Sequence, residues 1–160
     1  MTNKLSIIGD IYSEDVFNVI MDYEIARAKR YPTPISLLCI EIIPASSNQD
    51  TLYAASNLFA SALSKHMRSA DIPCVTGKEF KVMLPSTNQS GLNAACERML
   101  TIFSKDFETE DGSTIAFSLY IGGTAHQGGE TLSRDALFEK GQSALAQSRV
   151  KGLNTYVVLT

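Results

Sequence analysis

The segment PISLLCIEII, residues 34–43, constrains the fold of this chain more than any other feature. Its residues are apolar or proline except for Ser36 and Glu41, and isoleucine, which is β-branched, recurs along it. A nearly continuous apolar run of this length is typical of a central strand that is buried on both faces. The sequence therefore predicts one sheet with helices packed against its faces.

The segments around this strand predict the remaining elements from helical spacing, capping residues and short apolar or alternating runs. Helices are predicted at residues 13–30, 51–69, 88–107 and 133–152, a hairpin at 72–85, and strands at 113–123 and 154–159. We expect the strand at 113–123 to stop at Gly122 and Gly123. The order contains the split βαββαβ pattern of ferredoxin-like folds. It predicts an α/β (α+β) fold with a central, mostly antiparallel sheet flanked by helices.

The first helix has a clear start and a less clear buried face. Ser13 followed by two acidic residues predicts the N-terminus, because a hydroxyl cap and negative charge complement the positive end of the helix dipole. Apolar residues then recur at helical spacing and predict a buried stripe of Val16, Phe17, Ile20 and Tyr23. Arg27 falls where this stripe should continue.

Length and composition limit the possible classes of protein. With 160 residues, 44% of them hydrophobic, the chain fits a single domain over residues 1–160. No apolar run approaches the roughly 20 residues that span a bilayer, and MTNKLSIIGDIYSED lacks a signal-peptide cleavage pattern. We therefore expect a cytoplasmic protein without a membrane partner. The net charge of −3 gives no reason to expect nucleic-acid binding. The three cysteines lie far apart in apolar segments, which favours core positions over disulfides or a zinc site.

Several segments resemble parts of one protein family. The hairpin segment TGKEFKVMLP resembles the GGDEF motif and following strand of diguanylate cyclases. Four more segments resemble that family in the expected order: YEIARAKRYPTPISLLCIEI, AACERM, SLYIGGTA and SALAQSRVKGLN. The resemblance covers nearly the whole chain and implies a GGDEF/nucleotidyl-cyclase-like fold. In the family, two domains each bind GTP and together make cyclic di-GMP.

The resemblance also implies a set of site residues. Glu41 matches the strand carboxylate that binds metal, and Glu79 matches the glutamate of the signature turn. The degenerate turn itself comprises Thr76, Gly77, Lys78, Glu79 and Phe80. Gly77 matches the second glycine, whereas a threonine replaces the first and a lysine replaces the acid. Arg149 keeps a positive charge where the family has a phosphate-contacting lysine.

Replacement of the acid by Lys78 predicts the loss of catalysis. An ammonium group beside a divalent cation repels it and weakens metal binding. The segment IPASSNQDTLYAAS also lacks the lysine and the Gly-His turn with which the family holds phosphates and guanine. We therefore expect no cofactor, with Mg²⁺ only if residual GTP binding survives. One alternative is that Lys78 replaces the metal and binds phosphate directly.

The segment RSAD, residues 68–71, resembles the RxxD motif through which many family members bind cyclic di-GMP. Arg68 could stack on a guanine and donate to its edge, and Asp71 could accept from its N–H groups. A basic residue is also common in the last turn of a helix for structural reasons. Three hypotheses therefore remain: a cyclic di-GMP receptor, a protein-interaction or dimerisation module without nucleotide, and a domain with residual GTP binding or cyclase activity.

Overall fold

A computed structural model of the chain describes residues 11–45, 49–108, 112 and 114–160, without the side chains of residues 49–52 and 117. The predicted order of helices and strands is confirmed, with one additional short hairpin formed by β4 and β5. The elements are α1 Glu14–Arg30, β1 Ile35–Pro44, α2 Gln49–His66, β2 Ile72–Thr76, β3 Glu79–Pro85, α3 Gln89–Ile102, β4 Phe107–Glu108, β5 Thr114–Ile115, β6 Phe117–His126, α4 Arg134–Lys151 and β7 Thr155–Leu159.

The main sheet has five strands in the order β2-β3-β1-β6-β7. Neighbouring strands are antiparallel except β6 and β7, which are parallel and joined by the crossover helix α4. Strands β2, β3, β1 and β6 and helices α2 and α3 form the βαββαβ unit, to which α4 and β7 are added at one edge. The predicted mixed, mostly antiparallel sheet is confirmed.

Strand β1 lies in the centre of the sheet and is covered on both faces, as predicted. Leu38 and Ile40 belong to a core cluster with apolar residues of α2 and α3. Leu37 and Cys39 belong to a second cluster with residues of α1 and α4. Side chains alternate between the faces of a strand, so Glu41 lies on the α1/α4 face. The three cysteines are free and buried, as predicted.

The predicted buried face of α1 is wrong in part. The helix begins after the predicted cap, since the Ser13 hydroxyl accepts from the Val16 amide at 3.4 Å. Its buried residues, however, are Phe17, Met21, Ile25 and Ala28. Val19 and Tyr23 are 70% and 71% exposed. Apolar residues occur on two sides of this helix, and its packing against the β2 side of the sheet decides which side is buried.

Two predicted boundaries are also wrong. Strand β6 continues through Gly122 and Gly123 to His126. A Cβ on Gly122 would lie 2.1 Å from the Leu145 amide nitrogen, so this glycine allows α4 to approach the sheet closely. Helix α3 ends at Ile102 rather than at residue 107, because the polar residues 104–106 follow and Phe107 begins β4.

No helix in the described part of the chain is long and apolar enough to cross a membrane. Residues 1–10, which carry most of the segment considered for a signal peptide, lie outside the described residues.

Candidate functional site

The turn between β2 and β3 places the signature residues at the edge of the site. It is a two-residue loop, Gly77-Lys78, between paired Thr76 and Glu79. Gly77 has a φ of +63°, a conformation that glycine adopts at low cost and that suits the first position of a tight hairpin loop. The Lys78 carbonyl accepts from the Ile42 amide at 3.2 Å. This bond holds the turn beside β1.

The two predicted metal carboxylates meet as expected. Glu41 on β1 is paired directly with Glu79 on β3, so both side chains project from the same face of the sheet. Glu41 is only 8% exposed. Like charges directly opposite each other on antiparallel strands are destabilising. The place where Glu41 and Glu79 face each other therefore requires positive charge that offsets their repulsion.

Two basic side chains supply positive charge to Glu41. Arg149 Nε donates to Glu41 Oε1 at 2.7 Å, and Lys78 Nζ lies 3.2 Å from Glu41 Oε2. Burial raises the pKa of the Glu41 carboxyl, but the bonds from Arg149 and Lys78 outweigh burial and hold that pKa below its usual value of 4.5. We call the Lys78–Glu41–Arg149 group the ion-paired corner.

Glu79 has its own partners. Lys81 Nζ lies 3.1 Å from Glu79 Oε2, and Gln142 Nε2 donates to the same oxygen at 2.6 Å. Burial lowers the pKa of the Lys81 ammonium, but the attraction of Glu79 is stronger and the pKa is raised above its usual 10.5. The resemblance to known domains did not identify Lys81 or Gln142. Strand alternation could have indicated Lys81, which shares a face with Glu79.

The corner as arranged is a poor fit for Mg²⁺. This ion prefers an octahedron of oxygen ligands at short distances, usually including carboxylates and water. Both oxygens of Glu41 already contact a cation, and the Lys78 ammonium would repel a divalent ion placed beside it. Within residues 11–45, 49–108, 112 and 114–160, no group of three or more His, Cys, Asp or Glu side chains could hold a metal.

The other residues of the predicted signature have different environments. Phe80 is buried in the core, with its ring centroid 4.7 Å from that of Phe59. Thr76 is exposed at the end of β2. Arg149, for which the resemblance implies a phosphate contact, donates from Nε to Glu41. Residues 46–48 of the segment after β1 lie outside the described residues.

Arg68 and Asp71 are close together, and both form bonds within the protein. Asp71 Oδ1 accepts from Arg68 Nη2 at 2.9 Å and from Nε at 3.2 Å, while Oδ2 accepts from the Arg68 amide at 2.9 Å. Arg68 Nη2 also donates to Pro85 O at 3.0 Å and Thr87 Oγ1 at 2.8 Å. This network ties the end of α2 to the turn after β3. Nη1 of Arg68 has no acceptor among the described residues.

A cavity of about 340 Å³ opens beside this network. Arg68, Asp71 and Arg98 of helix α3 all line it. No sequence pattern pointed to Arg98, because only the packing of α3 on the sheet brings it to the end of α2. The cavity lies near Pro85, at one end of β3, whereas the ion-paired corner lies near Glu79, at the other end of that strand.

Comparisons with known proteins identify the fold. The sequence matches no family model and no curated protein. Solved structures do match: the GGDEF domain of YfiN (TpbB) from Pseudomonas aeruginosa has a TM-score of 0.81 at 18% identity, covering 94% of this chain and 97% of that chain. The GGDEF domain of DgcB from Caulobacter crescentus, in complex with c-di-GMP, has a TM-score of 0.79 at 17% identity, covering 99% and 96%.

A third structure is the diguanylate cyclase SiaD from Pseudomonas aeruginosa in complex with its activator SiaC. Its TM-score is 0.76 at 15% identity, covering 97% of this chain and 64% of that chain. The sheet order and these similarities define the class: the chain has the GGDEF-domain fold. The resemblance seen in the sequence is thereby confirmed at the level of fold.

Proposed function

We propose that this chain is a GGDEF-like signalling domain that does not synthesise cyclic di-GMP. The ion-paired corner carries the proposal, because the Lys78 ammonium contacts Glu41 where similar domains are expected to bind metal. We further propose that the domain acts in the bacterial cytoplasm.

Joining two GTP molecules needs a divalent cation to neutralise the triphosphates and activate the attacking hydroxyl. Here Glu41 is compensated by Lys78 and Arg149, and Glu79 is compensated by Lys81. A magnesium ion would have to displace these cations while remaining close to their charge. We therefore infer that two activated triphosphates are not assembled on this domain.

An activity assay tests this proposal. The purified chain is incubated with GTP and Mg²⁺, the nucleotides are separated by chromatography, and SiaD serves as the positive control for the assay. We expect no cyclic di-GMP. Formation of the product at a rate comparable to that of SiaD would overturn the proposal.

Charge substitution gives a second test. Lys78→Asp restores an acid at the turn, and Lys29→Asp makes the same charge change on an exposed residue at the end of α1. We expect Mg²⁺ binding, measured by calorimetry, to strengthen in Lys78→Asp but not in Lys29→Asp. Equal Mg²⁺ affinity in the unmodified chain and Lys78→Asp would show that Lys78 does not weaken metal binding.

A second candidate function is reception of cyclic di-GMP in the cavity beside Arg68. The observation that favours it is the meeting of Arg68, Asp71 and Arg98 around one cavity. An arginine can stack on a guanine and donate to its edge. Arg68 already uses Nε and Nη2 within the protein, so its contribution would come from Nη1 and the face of a half-exposed guanidinium. The DgcB domain was solved with c-di-GMP bound.

Calorimetry with cyclic di-GMP tests this candidate. Arg98→Ala is the most useful variant, because it removes one cation from the cavity and leaves the Arg68–Asp71 network in place. We expect saturable binding that Arg68→Ala abolishes and Arg98→Ala weakens, with Lys29→Ala as the matched control. Absence of binding to the unmodified chain would exclude the receptor function.

A protein-interaction or dimerisation module is the alternative if neither nucleotide binds. Val19 and Tyr23 expose apolar side chains on α1, and the similar SiaD was solved with an activator protein. Sedimentation of the purified chain tests the dimer, with Tyr23→Ser as the variant that should shift the distribution towards monomer. A monomer at all concentrations would exclude self-association and leave a different protein partner.

A further inference from the structure

We propose that the outer edge of β7 binds an extended, acidic segment of a partner protein, which adds to the five-stranded sheet as a further strand. This inference goes beyond the proposed loss of cyclic di-GMP synthesis and does not depend on it. It assigns a partner chemistry to a strand that contributes no residue to the ion-paired corner or to the cavity beside Arg68.

The two edges of the sheet differ in how they are covered. At the β2 edge, Tyr12 pairs with Cys74, and the Tyr12 amide donates to Pro73 O at 3.0 Å. At the opposite edge, β7 pairs only with β6 among the described residues, and each of its residues is partly exposed. An unpaired strand edge presents N–H and C=O groups to which another strand can bind.

The strand register identifies which groups of β7 are free. Both the amide and the carbonyl of Leu119 on β6 bond to Asn154, so Leu119 and alternate residues after it direct their main-chain groups towards β7. One of these is Ile121, which lies opposite Tyr156. In a parallel pair such a residue bonds to the neighbours of its partner on either side. The N–H and C=O groups of Tyr156 and Val158 therefore point away from the sheet.

Two lysines of α4 lie at this edge. Lys151 Nζ donates to Tyr156 O at 3.2 Å, and Lys140 Nζ donates to Thr160 O at 2.7 Å. Within the part of the chain that the structure describes, neither lysine forms an ion pair with an acidic side chain. Tyr156 and Thr160 are four residues apart, which corresponds to about 13 Å along a strand. The edge thus has a positive charge near each end.

These charges define the chemistry of the partner. A partner N–H group can replace each ammonium at its carbonyl, and the released lysine can then pair with a partner carboxylate. Carboxylates four residues apart on the added strand would lie on one face at the same spacing as the lysines. Glu97 of α3 accepts from the Tyr156 hydroxyl at 2.8 Å. Two lysines and one glutamate leave a net charge of +1 at the edge, which favours an acidic partner over a basic one.

A cavity of about 320 Å³ opens beside Thr160, where the partner strand would continue. Asn88, Gln89 and Ser90, at the N-terminus of α3, line part of it. The first turn of α3 has no acidic residue of its own, so the positive end of this helix is not complemented there. A negative charge on the partner beyond Thr160 would be favoured at this position.

A second copy of this chain fits the edge less well than an acidic segment. If two β7 strands paired antiparallel about a two-fold axis, Lys151 of one copy would lie close to Lys140 of the other, at both ends of the pair. Like charges facing each other across strands are destabilising. The charge pattern therefore favours a different protein as the partner.

The first test is calorimetry of the full chain with the synthetic peptide STEVTVETS, blocked at both ends so that its charge comes from its two glutamates. The peptide STKVTVKTS is the control, with the same spacing and the opposite charge. We expect saturable binding of the acidic peptide only, and higher ionic strength should weaken that binding.

Charge reversal on the protein is the matched test. The double variant Lys140→Glu/Lys151→Glu should weaken binding of the acidic peptide about tenfold or more, since each exposed ion pair contributes up to about fivefold. The same variant should bind the basic peptide. Lys29→Glu, the same change on an exposed residue of α1, should alter neither affinity. Thermal unfolding verifies that each variant is folded.

N-methylation of the peptide tests whether it binds as a strand. Only alternate N–H groups of an added strand face the edge. Methylating the amides of one alternate set should abolish binding, whereas methylating the other set should leave it unchanged.

The contrary outcomes are distinct from those of the cyclase assay. No saturable binding of the acidic peptide, equal binding of the basic peptide, or equal effects of the two methylation patterns would each overturn the inference. Sedimentation of the unmodified chain as a dimer that Val158→Pro converts to a monomer would assign the edge to a second copy and would also overturn it. Synthesis of cyclic di-GMP from GTP would overturn the proposed function and leave this inference standing.

Discussion

Removing the Arg149 cation from Glu41 should destabilise the fold by a measurable amount. We consider Arg149→Met, which keeps most of the aliphatic stem and loses the 2.7 Å bond to Glu41. Hydrogen bonds to charged groups contribute about 1.5–3 kcal/mol. Because Arg149 is nearly half exposed, solvent screening places the effect towards the low end, at about 1.5 kcal/mol. For a chain of this length, that corresponds to a fall in Tm of about 3–6 °C.

The assay is urea unfolding followed by circular dichroism, for the unmodified chain, Arg149→Met, Glu41→Gln and the double variant. We expect a coupling free energy between the two positions of about 1 kcal/mol at neutral pH. Lys29→Met, which removes an exposed cation, should change stability little.

The pH dependence gives an independent result from the same variants. The pKa of Glu41 in the fold lies below its usual 4.5, so the bond to Arg149 stabilises the protein fully above 4.5. The contribution is lost as the pH falls below 4.5 and through the lowered pKa, because the carboxyl becomes protonated. The difference between the unmodified chain and Arg149→Met should therefore shrink in acid. A coupling energy near zero, or a difference that does not change with pH, would refute the assigned role of this ion pair.

Three further predictions concern the core and the corner. Gly122→Ala should destabilise the chain by about 3 kcal/mol or more, because its Cβ meets the backbone of Leu145. Gly123→Ala should cost less, about 1 kcal/mol, because its Cβ meets the Leu92 side chain and the Leu37 carbonyl oxygen at 3.1–3.3 Å, contacts that small shifts relieve. Urea unfolding measures both costs, and equal costs would contradict the packing argument. Excess Mg²⁺ should leave the Tm of the unmodified chain unchanged and raise the Tm of Lys78→Asp. Only the variant has a carboxylate that can bind the metal in place of a competing ammonium group. An increase in the Tm of the unmodified chain would contradict this. Thiol reagents at mildly alkaline pH should react slowly until the chain is unfolded. Burial raises the pKa of Cys39 and Cys96 to about 12 and that of Cys74 to about 11. Rapid reaction of the folded chain would indicate an open core.

Features set by local chemistry could be predicted from the sequence. The apolar run 34–43 is long enough to require cover on both faces, and β1 has it. Ser13 and Ser133 cap helices because a hydroxyl beside the first turn satisfies free backbone amides. Gly77 forms the hairpin turn because its positive φ costs little only for glycine. The meeting of Glu41 and Glu79 was predicted from resemblance to known domains, and strand register brings it about.

The tertiary structure decided which partners these residues have. Arg149 lies 108 positions from Glu41 along the chain, and only the packing of α4 on the sheet brings the two together. The same packing selects the buried side of α1 and makes Gly122 a contact point for α4 rather than a strand end. Local sequence patterns specify periodicity and turns, whereas the rotation of a helix and the pairing of distant charges depend on the free energy of the whole packed fold. The sequence therefore determined the scaffold and the residues of the ion-paired corner. The tertiary structure determined that the carboxylates of Glu41 and Glu79 are paired with cations.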